Sequence, residues 1–129
     1  MYSEKVIQHF TKPKNMGNIK NPDGIGRAGN PVCGDIMELF VKIKTDKKKD
    51  IIKDLKFQTL GCAAAISTSD VACEILKGKT VEQALKIKAK DIVKELGGLP
   101  PAKIHCSLLA IEALQAAIKN YQKKKENKK

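Results

Sequence analysis

Aromatic residues and arginine are scarce in this chain. Its 129 residues include no tryptophan, three phenylalanines and two tyrosines, so it offers no stacking platform for nucleic-acid bases. Arg27 is the only arginine, and the remaining basic residues, out of 25 lysines and arginines together, are all lysine. Bidentate reading of bases or phosphates is therefore nearly absent. The net charge of +11 would otherwise suggest a nucleic-acid partner. Many of the lysines gather in one turn (Lys47, Lys48, Lys49) and in the tail (Lys123 to Lys125, Lys128, Lys129). That distribution fits a solvated surface that attracts acidic partners. No apolar run approaches the roughly 18 residues of a membrane helix, and no charged start leads into an apolar stretch. The chain reads as cytoplasmic, with neither membrane nor nucleic acid among its partners. Its length suits one domain with its own core.

Close pairing of cysteines is missing too. Cys33, Cys62, Cys73 and Cys106 are too widely spaced for a zinc-finger or ferredoxin pattern. In a reducing compartment they read as ligands, nucleophiles or core residues rather than disulfides. Three lie in small-residue or proline-rich motifs: Val32-Cys33-Gly34-Asp35, Leu60-Gly61-Cys62-Ala63, and the stretch from Leu99-Pro100-Pro101 to His105-Cys106-Ser107. A shared site forms only if the fold gathers these distant segments, which predicts an exposed centre, open to exchange, as a metal carrier needs. Cys62 and Cys106 fall at or near predicted helix amino ends. Backbone amides there, with Lys103 nearby, lower a thiol's pKa and supply thiolate. His105 adds an imidazole and Asp35 a hard oxygen. Three cysteines, one histidine and one aspartate exceed a four-ligand site by one, which permits ligand exchange. Cys73, inside an alanine-rich stretch beside no polar ligand type except Glu74, reads as core filler.

Gly24-Ile25-Gly26-Arg27-Ala28-Gly29 matches G-x-G-x-x-G, but a dinucleotide site needs a strand before it and a helix after it. An Asn-Pro loop precedes, and Pro31 blocks a helix start just after. The motif reads instead as a flexible approach to Cys33.

Ser3 caps a predicted helix to about Thr11, with Val6, Ile7 and Phe10 on one face. Residues 15 to 34 read as a long irregular loop. Residues 36 to 44 alternate as a half-buried strand, and Ile51 to Thr59 returns to form a hairpin across a turn at 45 to 50. Ala63 to Leu76 reads as a helix stopped by Gly78. Thr80 to Gln83 is a capping box opening a helix to about Ile87, and Asp91 to Leu96 suggests another. A last helix runs from about Ala102 to Tyr121, with Ile104, Leu108, Ile111 and Ile118 on one face. The class is α+β: helices covering one side of a small antiparallel sheet. The domain spans 1–121, and residues 122–129 form a basic tail expected to be disordered.

Taken together, these motifs resemble the family of IscU and the N-terminal domain of NifU, scaffold proteins on which iron–sulfur clusters are assembled. The likeness runs through Tyr2-Ser3-Glu4-Lys5-Val6-Ile7 with His9, then Pro13, Asn15 and Gly17, to Cys33-Gly34-Asp35. It continues through Phe57-Gln58-Thr59-Leu60-Gly61-Cys62 and Lys77-Gly78-Lys79-Thr80 to Leu99-Pro100-Pro101 and Lys103-Ile104-His105-Cys106-Ser107. It implies the SufE/NifU-like fold and a carrier without turnover of its own. Cys33, Cys62 and Cys106 would hold a transient 2Fe-2S cluster, with Asp35 and His105 as exchangeable ligands and zinc as an alternative occupant. Cys106 would accept persulfide sulfur from a cysteine desulfurase of IscS/NifS type. Leu99, Pro100, Pro101, Ala102 and Lys103 match the segment bound by a DnaK-like chaperone with its J-protein. Ala102 replaces a common valine there. Apo iron–sulfur proteins would receive the cluster. The alternative is a zinc-bound persulfide relay of SufU type, but that group carries an insertion for which the spacing from Cys62 to Cys106 leaves no room.

Overall fold

The computed structural model describes residues 3–30, 35–60, 63–99 and 104–127. A short helix, α1 (Glu4–Thr11), precedes three strands, β1 (Gly24–Asn30), β2 (Asp35–Asp46) and β3 (Lys49–Leu60). Four helices follow: α2 (Ala63–Leu76), α3 (Val81–Leu85), α4 (Ala89–Glu95) and α5 (His105–Asn127). The strands form one antiparallel sheet in the order β1-β2-β3, and the helices pack on one face of it, as the sequence predicts.

The glycine motif is a strand, which corrects the irregular loop expected across this region. Gly24, Gly26 and Ala28 pair with Val41, Leu39 and Met37 of β2 and share their inward face. Helix α5 lies over this edge of the sheet. A Cβ on Gly26 would lie 2.0 Å from the Ala113 carbonyl oxygen and 2.2 Å from the Ala117 nitrogen. One on Gly24 would lie 2.3 Å from the Ala117 oxygen. The glycines therefore admit a helix backbone rather than loosen a loop. The buried face of α5 is correspondingly small-residue rich, with Ala110, Ala113 and Ala117 fully covered beside Leu114 and Ile118. Of the face expected for this helix, Ile118 is buried, while Ile104 and Leu108 are exposed.

The β2–β3 hairpin turns on Lys47 and Lys48, at φ 51° and 68°. Both occupy the left-handed region that a two-residue hairpin turn needs. At the opposite edge, Gly17 donates to the Phe57 carbonyl and Phe57 to that of Asn15. The chain around Met16 thus shields β3 from edge pairing.

Ser3 caps α1 through the Val6 amide at 3.2 Å. Only Val6 of the expected apolar face is buried; Ile7 and Phe10 are exposed, because this short helix packs chiefly against α2. Helix α2 is enclosed so completely that Ser67, Thr68, Ser69 and Asp70 are all buried. Each has a partner, as burial demands. Ser67 donates to the Val6 carbonyl at 2.7 Å, and Ser69 reaches the Met37 sulfur at 3.0 Å. Thr68 donates to the Ala65 and Cys106 carbonyls at 3.1 and 3.4 Å. Asp70 accepts from the Asn15 amide at 2.9 Å and its Nδ2 at 3.0 Å, and contacts His9 Nδ1 at 2.6 Å. Gly78, at φ +86°, ends the helix as expected. Thr80 and Gln83 form the predicted capping box, and α3 stops at Leu85, short of Ile87.

Helix α5 starts at His105 rather than Ala102 and continues to Asn127 through the tail expected to be disordered. A contact across the molecule accounts for the extension: Lys125 Nζ lies 3.0 Å from Asp50 Oδ2, beside the Tyr121 ring. Burial raises the Asp50 carboxyl, but hydrogen bonds from Lys125, Thr45 and Tyr121 outweigh it and hold the group below its ordinary range. Burial, then the Asp50 contact, raises Tyr121, and the Asp50 hydrogen bond raises Lys125. A depressed carboxylate stabilises the fold above its unfolded pKa and loses that contribution as pH falls through the folded value. The raised phenol and ammonium stabilise it below their unfolded values and lose that contribution as pH rises through the folded ones. The end of α5 should thus be best protected between about pH 4 and pH 10. Protection factors over 119–127, with the intrinsic pH dependence of amide exchange divided out, should fall on either side of that window, and Asp50→Asn should erase the fall on its acid side.

Candidate functional site

Strand register and helix packing bring the described flanks of three cysteine motifs to one end of the sheet. Asn30 pairs with Asp35, the last pair before β1 and β2 join, and Ile36 pairs with Leu60 at the end of β3. Only two residues separate Leu60 from Ala63, so α2 begins at that same end. Cys106, the second residue of α5, packs with Ala64 and Ala65 in the first turn of α2, and Leu99 packs against this cluster. Thr68 reinforces the join through its bond to the Cys106 carbonyl. The small residues after the second cysteine motif are thus what lets the amino ends of α2 and α5 meet.

Cys33 and Cys62 lie outside the described residues, as do Pro100, Pro101, Ala102 and Lys103. Asp35 is placed as the first residue of β2 and His105 as the first of α5. Cys106 is fully buried, which corrects the exposed centre expected from the spacing, at least for this member of the set. Among the described residues, Leu99, Ala64 and Ala65 are the apolar groups packed with it where the two helices touch.

Cys73 is a core residue, fully buried beside Val71, Ala72 and Leu76. Burial, then the charge of Asp70, pushes its thiol far up, so it is inert as a nucleophile or ligand at neutral pH. Sequence reasoning missed the anchoring role of Thr68 and Asp70. The signal was the uninterrupted polar run Ser67-Thr68-Ser69-Asp70 inside a helix whose other residues, Glu74 apart, are apolar.

This arrangement defines a class: an α+β domain in which the described flanks of the cysteine motifs meet at one end of a three-stranded sheet, where α2 and α5 begin. Comparison with known proteins narrows it. Residues 1–128 match the model of the NifU-like N terminal domain family. The chain is 53% identical over 124 residues to the iron–sulfur cluster assembly scaffold protein IscU 1 of Archaeoglobus fulgidus, spanning 96% of this chain and 78% of that one. It is 47% identical over 130 residues to IscU of Escherichia coli K12, spanning 98% of each. Among solved structures, a putative SUF-system scaffold from Fervidobacterium islandicum superposes with a TM-score of 0.70 at 25% identity, covering 91% of this chain and 96% of that one. The chain belongs to the NifU-like N-terminal domain family. Among the described residues, no helix is long and apolar enough to cross a membrane.

Proposed function

We propose that this chain is a scaffold on which an iron–sulfur cluster is built from iron and desulfurase-derived sulfur and then passed to apo-proteins, without turnover of its own. The observation that carries the reading is the convergence, at one sheet end, of the flanks of all three cysteine motifs. It occurs in a chain whose curated relatives are named as such scaffolds. The cluster is cargo. Cys33, Cys62 and Cys106 would supply thiolates from separate segments, so that the site assembles and opens by relative movement of those segments. Asp35 and His105, each opening an element beside a cysteine, would compete for the remaining position. Cys106 would take sulfur from a cysteine desulfurase, which requires Leu99 and its neighbours to move aside. That same segment, Leu99 to Lys103, would be where a DnaK-like chaperone with its J-protein acts. We assign the cluster as 2Fe-2S, with zinc able to occupy the same donors, and place the protein in the cytoplasm. A zinc relay of SufU type is less favoured, since curated IscU relatives match at 47–53% identity against 25% for the SUF-system structure.

Anaerobic incubation with ferrous iron, cysteine, a desulfurase and a thiol reductant, which supplies the further electrons that take persulfide sulfur to sulfide, tests the proposal. Two iron and two sulfide per cluster, with the visible absorption of a 2Fe-2S centre, are expected; a product holding zinc and persulfide but no sulfide overturns it. Asp35→Ala should lengthen cluster lifetime in air and slow transfer to an apo-ferredoxin. It removes a weak oxygen ligand and a negative charge beside an anionic cluster. A shorter lifetime with faster transfer would mean that Asp35 only shapes the turn.

A further inference from the structure

Among the described residues, one group of side chains of metal-ligand type lies away from the cysteine motifs: His9 on α1 with Asp70 and Glu74 on α2. Asp70 is seven residues beyond Ala63 (70 − 63) in α2, about 10 Å along the helix axis from its start. Its carboxylate is held on one oxygen by both Asn15 donors. The other oxygen therefore accepts from His9, so the imidazole hydrogen sits on Nδ1. In the neutral ring this tautomer turns a lone pair at Nε2 toward the surface. Histidine ligands in metal sites are held this way, with the far nitrogen donating to a carboxylate.

His9 Nε2 lies 3.9 Å from Glu74 Oε2, too far for a hydrogen bond. Bonds of 2.0–2.2 Å to one ion set two donors about 3.4 Å apart in tetrahedral geometry and about 4 Å apart when opposite one another. The observed gap falls between these. Glu74 is 39% exposed, so its side chain can close the remaining distance. Both donors line an open cleft of about 480 Å³, leaving room for water ligands. Lys12 and Lys14 line the same cleft; their charge weakens any cation site, so hard ions without affinity for imidazole lose most.

We infer that His9 and Glu74 form a second, weak site for a borderline divalent ion such as Zn²⁺ or Fe²⁺, with Asp70 as the residue that orients the imidazole. The site is independent of the cluster reading, and its test is arranged to keep the two apart.

The test uses the 129-residue chain with Cys33, Cys62 and Cys106 replaced by alanine. Zn²⁺ is titrated near neutral pH while the imidazole resonances are followed by NMR. The chain has two histidines, so the His105 resonances report any zinc taken up at the cysteine-motif site instead. Saturable shifts at His9, in preference to His105, are expected. Glu74→Gln should weaken binding at least about tenfold with the amide spectrum otherwise intact, and Asp70→Asn by about 10–100-fold. If the cysteine-free variant does not fold, the same titration is run on the wild-type chain already holding one equivalent of zinc, following the second. Three results overturn the inference: no saturation of His9 below about 1 mM Zn²⁺, saturation at His105 instead, or a loss with Glu74→Gln smaller than about tenfold. Any of these would leave His9 as an imidazole that merely ties α1 to α2.

Discussion

Gly26→Ala should destabilise the fold by about 3 kcal/mol, the upper end of what inserting one methyl into a packed interior costs. The size follows from what the new Cβ would meet. Its neighbours at 2.0 and 2.2 Å are the Ala113 oxygen and Ala117 nitrogen, backbone atoms of α5 that cannot rotate away. Relief requires α5 to lift from β1, and Ala110, Ala113 and Ala117 would lose their contact with the sheet. Gly24→Ala should behave similarly, with 2.3 Å to the Ala117 oxygen. Ile25→Ala is the control: its side chain lies on the opposite face of the same strand, 38% exposed, and should cost about 1 kcal/mol or less. Urea midpoints at constant slope measure all three. If Gly26→Ala moved the midpoint no more than Ile25→Ala, the close helix–strand contact would be wrong.

That contact also shows where sequence reading falls short. Alternation identifies β2 and β3 because Met37, Leu39 and Val41 face one way and Glu38 and Lys42 the other. Strand β1 carries no such signal. Its inward residues are Gly24, Gly26 and Ala28, chosen to admit a helix from the far end of the chain. Composition alone makes that segment look like a loop, and only the partner reveals why it is a strand. The extension of α5 has the same origin, since Lys125 finds Asp50 across 75 residues of sequence. Local signals fared better: the Ser3 cap, the Thr80 capping box and the Gly78 stop all lie where the residues put them. At the site, the motifs located the cysteine segments, and the register placed their flanks together. The burial of Cys106 depends on which residues pack against it, and Ala64, Ala65 and Leu99 carry no such message in sequence.

If Cys33, Cys62 and Cys106 are the ligands proposed above, serine in place of any one should reduce cluster formation at least about tenfold, since each variant loses one thiolate. A serine hydroxyl is a hard, weakly acidic oxygen that binds iron–sulfur centres poorly where thiolate binds well. At Cys106 the exchange is close to isosteric within the pocket of Ala64, Ala65 and Leu99, so the fold should survive it. Thermal melts of the metal-free proteins separate loss of ligand from loss of structure. Cys73→Ala is the counterpart. That thiol is sealed in the core and far too weakly acidic to bind iron, so the change should leave the spectrum unaltered and cost about 1 kcal/mol or less, for the small volume removed. Iron and sulfide counts after anaerobic reconstitution decide among the four. Full yield from a folded Cys33, Cys62 or Cys106 variant would remove that residue from the ligand set, and loss of the cluster in Cys73→Ala would show that the core of α2 shapes the site.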